Sequence, residues 1–286
     1  MKKHVTARKR NKGISLLLFL LFLAGLSLLL YPTFSDWWNS LHQSRAIASY
    51  QEAASQLDQA GTAKLWQDAQ EYNAFLKQDA ARFTLNQREK ERYESLLCVS
   101  GSVMGVVEIP SIHVSLPLYH GTDPEVLQTA VGHLAGSSLP VGGSGTHCVI
   151  SGHRGLPSAR LFTDLDQLKE GDLFTLSVLN QTLWYEVDQI RVVEPNDTSL
   201  LALEEGQDLC TLVTCTPYGV NSHRLLVRGH RVPTPRQETG PSTDSATTSQ
   251  RGFWVIAVAL PALLLLILWA RRIRTRKKNP LGRGSS

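Results

Sequence analysis

A cysteine, a histidine and an arginine in this chain are placed as acyl transfer would need them. The segment TLVTCTPYGVNSHRLLVRGHR, residues 211–231, reads as a strand ending in Cys215, a turn, and a strand that returns beside the first. A strand end is where a loop can open a side chain to substrate. Arg224 starts the returning strand nine residues later and can face the same point. The thiolate, not the thiol, is the nucleophile, and a neighbouring cation favours it. Arginine keeps its proton, so Arg224 can act as a fixed charge or a donor but never as a base. The base must come from elsewhere. His153, in HCVISGHRGLPSARLF, follows another strand and precedes a Gly/Pro-rich loop. In a Cys–His pair the thiolate attacks a carbonyl and the imidazolium protonates the leaving amine. With ordinary values of about 8.5 for Cys and 6.5 for His, the charged pair is a minor form near neutral pH unless burial or Arg224 alters it.

The other candidate side chains read as structural. Cys210 lies five residues before Cys215, an odd spacing that puts it on the opposite strand face, and Cys148 precedes His153 by the same spacing. Both are assigned to the core. The even number of cysteines permits disulfides, but their spacing matches no small disulfide scaffold. His120, His133, His147 and His230 are given no chemistry, and strand alternation turns His223 away from Arg224. No CxxC or HExxH is present, so no metal and no cofactor is expected. Asp164, Asp166 and Asp172 read as solvated loop acids. GHLAGSSLPVGGSG lacks the P-loop lysine and reads as a flexible loop.

The elements that must position these residues follow from texture. VMGVVEI, HVSLPLY, HCVISGH, DLFTLSVL, TLWYEVDQIRVV, DLCTLVTC and HRLLVRGHR are short, rich in β-branched and aromatic residues, and punctuated by Gly, Pro and Asn. Seven or so strands in this stretch predict a closed or nearly closed β-barrel, with a turn at Asn180-Gln181. Upstream, Ile47, Tyr50, Ala54 and Leu57, then Leu65, Ala69, Tyr72 and Phe75, recur at helical spacing. They predict a helical hairpin over 40–79, divided at Gly61 and laid on the barrel. Residues 80–100 carry no clear pattern.

Two apolar runs without a charge, 14–31 and 253–270, are each long enough to cross a bilayer. Pro32 is expected to end the first helix. The run lacks a clear cleavage site and reads as an uncleaved anchor rather than a signal segment. The chain's net +4 is misleading: residues 1–13 hold six Lys/Arg and 271–286 hold seven, with no acid in either tail. Removing those thirteen from the 29 basic residues leaves 16 against 25 acids, a net of −9. The positive-inside rule places both tails in the cytoplasm and the intervening domain outside. Basic tails beside membrane runs face lipid, so no nucleic-acid partner is expected. The expected organisation is a basic tail (1–13), an anchor (14–31), a helical appendage (32–100), a catalytic barrel (101–232), a disordered Pro/Ser/Thr-rich linker (233–252), a second membrane helix (253–270) and a basic tail (271–286).

The chain resembles the sortases. TLVTC with an arginine nine residues on looks like their signature. The wider stretch, with LYHGT (118–122), GHLAGSSLPVGG (132–143), SGHRGLPSARLF (151–162) and CTPYGVNSHRLLVRGHR, is similar to class C, pilin-polymerising sortases of Gram-positive bacteria. The resemblance implies an eight-stranded barrel, with Cys215 as nucleophile, His153 as acid and base, and Arg224 as substrate or oxyanion stabiliser. It also implies pilin partners with LPxTG-like sorting signals, cleaved to a thioester that a pilin lysine resolves. A housekeeping sortase that anchors proteins to peptidoglycan is the enzymatic rival, and a non-catalytic membrane scaffold is the rival from another class. Many class C enzymes plug the cleft with an Asp-Pro-aromatic lid. DAARFTLNQREKERYESLL contains none, so the cleft is expected to be open.

Overall fold

The computed structural model describes residues 4–79, 81–99 and 101–235. The second apolar run, the second basic tail and nearly all of the linker lie outside the described residues.

Eight strands close into one barrel: β1 (Val103–Ile109), β2 (Val114–His120), β3 (Val131–His133), β4 (Thr146–Ser151), β5 (Leu173–Val178), β6 (Gln181–Val193), β7 (Asp208–Thr216) and β8 (His223–Val232). Their order around the barrel is β1-β2-β3-β4-β7-β8-β6-β5, and β5 pairs back onto β1. The β2–β3 and β4–β7 pairs are parallel; the others are antiparallel. The β5–β6 turn falls at Leu179–Asn180, one residue ahead of the predicted Asn180-Gln181, and Leu179 takes a positive φ of 52°.

Alternation fills the barrel with the apolar face of each strand. Phe174 and Tyr185 stack inside it at 5.5 Å between ring centroids. Gly229 makes room for them, since a Cβ there would meet Phe174 at 2.6 Å. Removing the Phe174 ring would cost roughly 3–5 kcal/mol.

The helical appendage differs from expectation in where it bends. Helix α1 (His4–Ser55) runs unbroken past Pro32. A proline removes one intrahelical bond, and the flanking turns carry the helix through it. Leu16–Ser55 includes a stretch apolar and long enough to cross a membrane, with none of it buried in the protein. The division comes at 56–58 instead of at Gly61, because Asp58 caps α2 (Gln59–Leu76) by accepting the Gly61 amide at 2.7 Å. Tyr50 fixes α1 to the barrel: its hydroxyl donates to Met104 O at 2.9 Å and accepts from Leu179 N at 2.7 Å. Helix α2 buries Ala69, Tyr72, Asn73 and Leu76 rather than Phe75, which is exposed beneath the Arg92 guanidinium. Within 80–100, helix α3 (Gln87–Ser95) starts on an Asn86/Glu89 capping box. That signature stood in the sequence as Asn-x-x-Glu.

The Gly-rich segment 132–143 is not a flexible loop. Asn73 brackets Leu139, donating to its carbonyl at 3.1 Å and accepting from its amide at 2.7 Å. Ser137 and Ser138 hydroxyls accept from Val149 N and His147 N, both at 3.1 Å. Backbone buried in this way is paired rather than free to move.

Candidate active site

Cys215 is the penultimate residue of β7. Leu212 and Cys210 point into the core, so alternation puts Cys215 on the outer face, partly exposed. The β7–β8 register sets Arg224 directly opposite it. His153 arrives by the parallel β4–β7 pairing, in which Ser151 faces Val213. The pairing is prolonged past the strand: Gly152 N donates to Val213 O at 3.0 Å, and Thr214 Oγ1 donates to Gly152 O at 2.8 Å. A Cβ at Gly152 would meet Phe162 at 2.7 Å, so only glycine lets the chain lie this close. His153 is the next residue. The three residues that the sequence singles out are therefore brought to one end of the barrel by adjacent strands.

Burial, and then the Arg224 guanidinium, hold His153 below the ordinary imidazole value. A protonated His153 is thus a stronger acid than free imidazole. Arg224 Nη1 donates to His223 O at 3.1 Å and to Asn221 O at 3.4 Å, which fixes the guanidinium on its own turn. His223 turns elsewhere, with Nε2 3.3 Å from Glu194 Oε1. On the outer face beside Cys215, Val149, Leu201 and Leu226 form a buried apolar floor, joined by Leu134, Val193, Leu200 and Val213.

Arg154 escaped the sequence reading, and its only signal was its place beside His153. Its side chain is 9% exposed and ion-pairs with Asp166. Nη1 donates to Thr216 Oγ1 at 3.2 Å, next to Cys215, and the guanidinium lies 6.0 Å from the Tyr218 ring. Asp166 and Asp164 are thus partners of Arg154 and Arg160 rather than free solvated acids, and Asp172 accepts the Lys169 amide at 2.8 Å.

His120, His133 and His147 are embedded in structure, whereas His230 is partly exposed, with Nδ1 3.9 Å from Asp188 Oδ2. His120 bonds to Ser102 O and Leu96 O, His147 to Ala202 O and Thr211 Oγ1, and His133 to Tyr93 and Ser138 O. Among the described residues, no group of three or more His, Cys, Asp or Glu side chains is arranged to hold a metal. Residues 81–97 make no hydrogen bond, ion pair or ring contact with Cys215, His153 or Arg224 among the described residues. Arg82 instead donates to Gly136 O and Leu201 O.

Comparison with known proteins agrees with this geometry. The family described as the sortase domain matches residues 107–232. Sortase C1 from Streptococcus agalactiae is 53% identical, with a TM-score of 0.65, over 67% of this chain and 100% of that one. Clostridium perfringens sortase C, solved with the C-terminal cell wall sorting motif, is 40% identical, with a TM-score of 0.60, over 67% of this chain and 100% of that one. Sortase D of Bacillus subtilis is 32% identical over 136 residues, 46% of this chain and 66% of that protein. The chain thus spans just under two thirds of the length of that relative.

Proposed function

The chain belongs to the sortase family, with strong structural matches among class C members, and from that premise we propose that it is a cysteine transpeptidase that joins pilin subunits. Cys215 as thiolate attacks the backbone carbonyl at an LPxTG-like sorting signal. The tetrahedral oxyanion collapses, the C–N bond breaks, and imidazolium His153 gives its proton to the departing amine. The product is a thioester on Cys215. A pilin lysine amine then attacks that thioester and loses a proton to neutral His153. An isopeptide bond forms and the Cys215 thiolate leaves.

The observation that carries this reading is the register, which seats Cys215 opposite Arg224 with His153 delivered beside them. Arg224 spends Nη1 on its own turn, so the Nε and Nη2 N–H groups are the ones that meet the substrate carbonyl oxygen. The partly exposed Leu134, Val193, Leu200 and Val213, which cover the buried floor, suit the leucine and proline of such a signal. The sequence of residues 80–97 offers no lid tripeptide, and the cleft is open at rest. The anchoring helix keeps the enzyme on the membrane with its barrel outside.

Mass spectrometry of the full chain in micelles, mixed with an LPxTG-type peptide, tests this. The expected result is a thioester adduct on Cys215 that a lysine-like amine discharges. Discharge only by a peptidoglycan-like amine would replace the pilin role with wall anchoring. A folded chain that forms no adduct with several motif variants would overturn the transpeptidase reading.

A further inference from the structure

The loop that follows His153 is held by the membrane helix. It runs from His153 to Phe162 and closes on itself, with Phe162 N donating to His153 O at 3.1 Å. A short bridge between Leu156 and Ala159 folds its tip. Two side chains of α1 reach this tip from far away in sequence. Asp36 Oδ1 accepts from Arg160 N at 2.9 Å, and Asn39 Nδ2 donates to Ser158 O at 2.7 Å. One takes a donor and the other an acceptor, so the two bonds grip both sides of a single turn.

The grip falls where the loop is strained. Leu161 follows Arg160 and has a φ of 38°, a region that L-residues rarely adopt, while its side chain is buried. Such a conformation persists only where surrounding contacts determine it. The strained residue lies between the Asp36 contact and Phe162, whose amide holds the His153 carbonyl. Asp36 and Asn39 stand five and eight residues past Tyr31, about 7.5 and 12 Å along a helix that does not break.

We propose that Asp36 and Asn39 are positioning residues for His153, so that the membrane helix is a working part of the acyl-transfer site and not only a tether. Neither touches substrate. They act by fixing the loop whose closing bond holds His153 beside Cys215. This role in acyl transfer rests on the transpeptidase reading, whereas the hold on the His153 ring can be tested without turnover.

The test uses the full chain in lipid nanodiscs, comparing the wild type with the double variant Asp36→Ala, Asn39→Ala and with Asp36→Asn, which keeps an oxygen for the Arg160 amide. Two readouts are taken: the rate of thioester formation with an LPxTG-type peptide, and the titration of the isotope-labelled His153 ring by NMR. The double variant is expected to acylate about 10- to 100-fold more slowly. Its His153 is expected to titrate at higher pH as the freed ring gains water, and Asp36→Asn is expected to stay near wild type. Unchanged rate and titration would overturn the proposal. So would a slower rate with an unmoved His153 titration, since that is what a merely structural contact gives. If the wild type forms no thioester, the transpeptidase reading fails, and the His153 titration alone decides the positioning claim. If the double variant does not fold, the two single alanine variants are read in the same way.

Discussion

Strand β7 carries two cysteines that the fold treats oppositely. Cys210 faces the barrel interior, in register with Cys148 of β4, and neither is exposed to more than a few per cent. His133 lies near Cys148, and its ring is committed to Tyr93 and Ser138. Cys215, five residues on, faces outward beside His153 and Arg224. The interior thus also brings a thiol near an imidazole, but the pair is Cys148 of β4 with His133 of β3 and not Cys210. Of the two β7 thiols, only Cys215 is partly exposed. Burial pushes the Cys210 thiol well above its ordinary value, which keeps it protonated and inert. Residue type supplies the chemistry, and strand parity decides which copy can use it.

The contrast breaks most sharply under substitution. Cys215→Ala is expected to abolish thioester formation, a loss of about 10⁴-fold or more, with the thermal melt unchanged. Cys210→Ala should leave acylation in place, and mass spectrometry of both variants distinguishes them. His153→Ala should follow, at roughly 10²- to 10⁴-fold in acylation rate, because it removes the proton donor and spares the nucleophile. A smaller effect sharpens the interior side. Cys210→Ser puts a hydroxyl where the core offers it little, and urea denaturation should show a loss of about 1–3 kcal/mol with acylation nearly unchanged.

The smallest effect concerns pH. Burial holds His120 and His147 below the ordinary imidazole value of 6.5. Their unfolded rings bind protons more readily than the native ones. Stability from these sites is therefore full above 6.5 and is lost as pH falls through that value towards the depressed native ones. Urea midpoints should decline over that window, and His147→Gln should flatten the decline.

Much of this was legible in the chain. Seven of the eight strands announced themselves by β-branched runs, and the odd spacing of Cys210 and Cys215 already placed them on opposite faces. The three-residue β3 did not, because three residues show no alternation. The segment around it read as flexible because its glycines and serines are polar and small. The partner that pins it above all, Asn73, comes from a helix and reaches Leu139 across 66 residues of sequence. The hinge was misplaced at Gly61 because glycine weakens a helix only mildly, whereas the Asp58 cap sets where one begins.

The sequence by itself singled out Cys215, His153 and Arg224, the strand texture, the long apolar run and the faces on which the cysteines stand, because these depend on residue type and local period. Only the tertiary structure decided that β4 lies parallel to β7, that Arg154 bridges to Thr216, and that Asp36 and Asn39 grip the turn after His153. Those contacts join residues 62 to 124 positions apart. No local pattern encodes them, because they exist only once the barrel has closed and the helix has docked against it.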